Sequence, residues 1–160
     1  MRKITIGFSK STKKFAIGSW IIRCYMGTPY SHVYMKFDSQ SFNRTLIYEA
    51  VGSGVRFIGF DRWKNHAVEV KSYSFEVCEK SYTKLMQYCI DNSGIEYGFF
   101  QNIGIVIANI FRKKYNALTD GENCSEIIGE ILALNGYKFD KEFNLLMPID
   151  IDKALATKLS

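Results

Sequence analysis

A chain of 160 residues that is 47% hydrophobic and 15% aromatic, with only two prolines, is long and apolar enough to bury a core as one domain, 1–160, and is not intrinsically disordered. The net charge of +5 comes from scattered lysines and arginines. The short clusters Lys13-Lys14 and Arg112-Lys113-Lys114 read as solvated surface or as a preference for anionic partners, and with no basic stripe interleaved with aromatics, nucleic acid is not an expected partner.

The N-terminal "MRKITIGFSKSTKKF" is basic but lacks the sustained apolar run of a secretory signal, so a cytoplasmic location is expected. The first half then reads as strands: "KITIGFS", "SWIIRCY", "SHVYMKF", "TLIYEAV", "GVRFIGF" and "AVEVKSYSF". Each is short, rich in β-branched and aromatic residues, and bounded by Gly, Ser, Asn or Asp.

The second half reads as helices. "EKSYTKLMQYCIDN" spaces Leu85, Met86, Cys89 and Ile90 on one face. "FFQNIGIVIANIFRKKY" predicts a largely buried helix ending in basic residues, as the helix dipole favours. Its uncharged run, 97–111, is too short to span a bilayer and carries Gln101, Asn102 and Asn109, so no transmembrane segment is expected. "NCSEIIGEILALNG" predicts a helix ending at Asn135-Gly136, and "DIDKALATKL" a terminal helix entered after Pro148. Strands followed by helices, without alternation, indicate an α+β domain: an antiparallel sheet from the N-terminal half packed against helices from the C-terminal half.

Four places could carry chemistry. In "TDGENCSEIIGEIL", Asn123 followed by Glu126 resembles a capping box, which makes Cys124 the first residue of the helix. The thiol would share a face with Ile127, Ile128 and Ile131 and point toward the sheet. It is either a small core side chain or a nucleophile whose thiolate the helix N-terminus favours. His32 opens the strand "SHVYMKF". A symmetric hairpin through "DSQSFN" would set Phe37 opposite Arg44, Tyr34 opposite Ile47 and His32 opposite Glu49, with directly opposed Cβ atoms about 4.5–5.5 Å apart. Glu49 is the lone acid in "LIYEAV"; it is either exposed on the wet face of the sheet or buried with a partner, since an unpaired buried carboxylate is costly. His66, in "WKNHAVEV", lies in a turn with no acid at matching spacing and reads as a surface histidine. The four cysteines, Cys24, Cys78, Cys89 and Cys124, have no CxxC spacing; free thiols are expected, with no metal site.

The order of a histidine strand, a glutamate on the next strand and a helix-initiating cysteine far downstream resembles the circularly permuted branch of the NlpC-type papain-like cysteine hydrolases, in particular the YiiX-like group. The matching pieces are "SHVYMKF", "LIYEAVGSGVRFIGFDRW", "IEYGFF", "ENCSEIIGEIL" and "MPIDIDKAL", which together span most of the chain from Ser19 to Leu155. In ordinary papain-like enzymes the cysteine precedes the histidine; here it follows. Lecithin retinol acyltransferase-like relatives carry a second histidine where this chain has Glu49, which places the resemblance on the bacterial and viral side. The segment "MRKITIGFSKSTKKF" has no counterpart in it.

The resemblance implies a permuted papain-like fold with Cys124 as nucleophile, His32 as general base and acid and Glu49 as the orienting residue, and with Tyr97 and Tyr30 lining the substrate site. It implies a cofactor-free thiol hydrolase working through a thioester on peptide or N-acyl amide bonds, with a cell-wall peptide, peptidoglycan fragment or acyl lipid as substrate. Such a target without an export signal would suit a phage-encoded or virion-associated protein. The rival readings are a non-catalytic binding module on the same fold, or an acyltransferase or deconjugating protease acting on lipid or protein.

Overall fold

In the computed structural model, residues 1–13, 17–39, 43–111 and 123–159 are described, with the side chains of 99–103 and 159 left aside. Part of the loop "DSQSFN", the basic run 112–114, Lys14 and the start of "TDGENC" therefore lie outside the described residues.

The sheet strands are β1 (Arg2–Ser11), β2 (His32–Ser39), β3 (Arg44–Val51), β4 (Gly54–Gly59) and β5 (Ala67–Val77). They form one antiparallel five-stranded sheet in the order β4-β3-β2-β1-β5. The helices are α1 (Ile17–Met26), α2 (Phe60–Trp63), α3 (Glu79–Asp91), α4 (Phe99–Ile110), α5 (Cys124–Leu134) and α6 (Pro148–Leu159). The architecture is α+β, as the segregation of strand-like and helix-like sequence predicts.

Alternation along the strands sorts side chains onto two faces. Ile4, Ile6 and Phe8 of β1, Val33, Met35 and Phe37 of β2 and Tyr48 and Ala50 of β3 join the main core, which Ile127, Ile128, Ile131 and Leu132 of α5 complete. On the opposite face, Tyr34 and Ile47 pack with Trp63 and Ala67 in a smaller cluster. The N-terminal segment, unplaced by the resemblance, thus supplies an interior strand, paired on both sides; Ile4, Ile6 and Phe8 have no exposed surface.

Three expectations are corrected. "SWIIRCY" is helical, lying within α1. Its β-branched and aromatic residues suit a strand by composition, but Ile17, Trp20, Ile21 and Tyr25 recur at helical spacing, and that periodicity decides. Second, the β2–β3 register is offset by two residues from the symmetric hairpin: Phe37 pairs with Leu46 and Met35 with Tyr48. The strands run further into the turn, where Asp38 pairs with Thr45 and accepts its hydroxyl at 2.7 Å, and Asn43 takes the left-handed conformation at φ 45°. Third, α4 is not largely buried over its described side chains: Gly104, Ile105 and Ala108 face inward while Ile107, Ile110 and the following Phe111 are exposed.

Candidate active site

Cys124 is the first residue of α5, and the cap ahead of it forms as its spacing predicts. Asn123 Oδ1 accepts the N–H groups of Ser125 at 2.8 Å and Glu126 at 3.0 Å, and Glu126 accepts the Asn123 N–H in return. Those bonds occupy Asn123 and leave the Cys124 N–H outside the capping box. Gly129 lets α5 seat against its neighbours, because a Cβ there would collide with the Leu146 side chain. The packing directs Cys124 at the sheet, with 5% of its surface exposed.

His32 and Glu49 share the sheet face of Tyr34 and Ile47, opposite the face that α5 covers. A register offset of two residues keeps both on that face, because side chains alternate with a period of two. His32 is therefore a diagonal neighbour of Glu49 rather than its direct partner, and its Nε2 lies 3.3 Å from Glu49 Oε2. The β2–β3 pairing ends at Met35 and Tyr48. Beyond that point Cys124, arriving from the other face, comes near enough to His32 and to the Val33 N–H for both to lower its pKa. With Nε2 directed at Glu49, the nitrogen left for the thiol is Nδ1. The three predicted residues, Cys124, His32 and Glu49, converge where the ladder opens.

Glu49 has more partners than the sequence analysis assigned. Its buried carboxylate receives Arg56 through Nη2 at 2.8 Å and Nε at 3.2 Å on one oxygen, and the Trp63 indole N–H at 3.0 Å on the other. His66 Nε2 lies 3.8 Å from the first oxygen, half-buried, so its reading as a plain surface histidine is corrected. Arg56 was legible in principle. "VGSG" is a two-residue hairpin signal, and pairing Val51 with Gly54 brings Arg56 opposite Glu49. Gly54 sits at φ 104°, where a side chain would also press on the Ile95 carbonyl at 2.9 Å. Trp63 and His66 come from α2 and the turn after it, and no local pattern pointed to them.

The electrostatics follow from this arrangement. Burial pulls the His32 pKa down, but the facing Cys124 thiolate and then Glu49 outweigh it and raise it from 6.5 to about 10. Burial pushes the Cys124 thiol up, but the His32 imidazolium, the Val33 N–H and the Ser125 hydroxyl win, and it falls below its ordinary value of 9.0. Glu49 is likewise raised by burial and lowered more by His32 and Arg56, to about 2. The arrangement favours thiolate, imidazolium and carboxylate in a row.

Tyr30 lies in the main core against Phe8 and donates its hydroxyl to Asp152 at 2.5 Å. Tyr97 is half-buried against the main core. All four cysteines are free thiols. No helix among the described residues is long and apolar enough to cross a membrane. In comparisons with known proteins, no family model matches the chain and no curated protein matches it significantly.

Proposed function

We propose that this protein is a thiol hydrolase of the permuted papain-like type, cleaving peptide or N-acyl amide bonds through a thioester on Cys124. The observation that carries the proposal is a buried cysteine at a helix N-terminus facing a histidine whose other nitrogen is held by a buried carboxylate. That is the arrangement of a nucleophile, a base and an orienting group.

The Cys124 thiolate attacks the carbonyl carbon, and the developing oxyanion is met by the Cys124 N–H at the positive end of α5. His32, as imidazolium, protonates the leaving amine as the carbon–nitrogen bond breaks. It then takes a proton from water, which attacks the thioester; the carbon–sulfur bond breaks, releasing the acid and restoring the thiolate and imidazolium. Glu49 keeps the ring oriented and its positive charge compensated, and Arg56 and Trp63 hold Glu49 in turn.

Cell-wall stem peptides are the first substrates to test, with N-acyl amides as the second panel. Mass spectrometry of products and of the intact protein should show cleavage and an acyl adduct that maps to Cys124 and is absent from Cys124→Ala. Product formation that persists unchanged in Cys124→Ala would refute the proposed chemistry.

A further inference from the structure

We propose that the exposed face of α1 docks the protein on an anionic lipid surface. Ile17, Trp20, Ile21 and Tyr25 are 68%, 59%, 44% and 41% exposed, and together they form one stripe of the helix. None of the ten residues of α1 is buried. A helix with this pattern in a globular domain ordinarily turns its apolar stripe inward; here the stripe faces out.

The helix is fixed to the domain by its other side. Ser19 Oγ and Ser31 Oγ lie 2.5 Å apart, and Met26 packs against the core. Ser31 directly precedes His32, so the stripe is moored beside the candidate site.

Charge and residue type identify the occupant. Lys13 is exposed just ahead of the helix, Lys10 and Arg23 are half-exposed, and the chain carries a net charge of +5. Trp20 and Tyr25 combine an apolar ring with a polar edge, as suits the headgroup boundary. Basic residues beside an aromatic and aliphatic helix face are the composition of a helix that lies in a lipid interface. Ile107, Ile110 and Phe111 are also exposed, at the end of α4. Pairing with a second copy fits less well. Four part-exposed side chains offer on the order of 400 Å² per copy, so a pair would bury about 800 Å² against the roughly 1,200–2,000 Å² total of a stable protein interface. A twofold pairing would also bring like charges together, whereas an anionic surface neutralises them.

The test uses the full chain with phosphatidylcholine vesicles, with and without phosphatidylglycerol. Of the two tryptophans, Trp63 is 1% exposed, so a blue shift in emission on adding vesicles reports Trp20. Flotation with the anionic vesicles, weakened by added salt, and a Trp20 blue shift are expected. Ile21→Glu should weaken partitioning about tenfold, and Ile21→Ser should weaken it less. Ile21 is exposed, so urea unfolding of both variants should match wild type. Absence of binding, equal binding to neutral vesicles, or an unchanged affinity in folded Ile21→Glu would overturn the proposal. So would a concentration-dependent dimer in ultracentrifugation that Ile21→Glu dissociates, because the face would then belong to a second copy. Repeating flotation with Cys124→Ala separates docking from the proposed chemistry, since docking should persist.

Discussion

Two buried cysteines, Cys89 and Cys124, sit on helices of this domain, with 0% and 5% of their surface exposed. Cys89 lies late in α3 within the main core, and burial alone acts on it, raising its pKa. Cys124 feels the same penalty, but it opens its helix and faces His32, and its pKa falls. Similar burial therefore leaves the pKa raised in one case and lowered in the other. Low local dielectric strengthens whatever a group faces: surrounded by hydrocarbon it loses its charge, and beside an imidazolium it keeps it. The exposed Cys78 sharpens the contrast from the other side. Ser81 lowers its pKa through its hydroxyl and backbone N–H, with no histidine involved.

The strongest way to break the comparison is to remove the thiol itself. Cys124→Ala should abolish the proposed hydrolysis, a loss of about 10⁴-fold or more, measured as turnover of the substrate found in the stem-peptide screen. Cys89→Ala should leave that rate unchanged. Next comes His32→Ala, which should cost roughly 10²–10⁴ in rate and return the Cys124 pKa toward 9.0. The pH–rate profile of the wild type should fall on the alkaline side near 10, where His32 loses its proton.

Glu49→Gln acts on stability as well as rate. The folded-state pKa of Glu49 lies near 2 against an ordinary 4.5. Its contribution is therefore fully present above about 4.5 and is lost as pH falls through about 2. That depression corresponds to about 3 kcal/mol, and the side chain is 1% exposed, so solvent screening is slight. Urea unfolding of wild type from pH 7 to pH 2 should show that loss, while Glu49→Gln should be less stable at pH 7 and lose less on acidification. The smallest effect belongs to Cys89→Ala. A small cavity in the main core should cost about 1 kcal/mol, read by the same unfolding.

Much of this was legible in the sequence, for identifiable reasons. β1 to β5 were readable because alternation and turn residues act locally, and the capping box at Asn123 because its chemistry spans four residues. The convergence of His32 and Glu49 was readable despite a wrong register, because a slip of two preserves the face. The register itself was not, since it depends on how far the strands run into the turn. α1 was misread because strand-like composition outweighed its helical spacing, and the same residues now form the exposed stripe. Trp63 and His66 reach Glu49 only through tertiary packing.

The central claim is that position beside His32, rather than burial, sets the chemistry of Cys124. Iodoacetamide alkylation against pH, read thiol by thiol by mass spectrometry in wild type and His32→Ala, addresses it directly. In wild type Cys124 should react with an inflection below 9.0 and Cys89 should stay unreactive. In His32→Ala the Cys124 inflection should move up, while that of Cys78 should stay where it was. An accessible Cys124 that titrates as an ordinary thiol and ignores His32→Ala would contradict the claim and leave Cys124 a packing residue like Cys89.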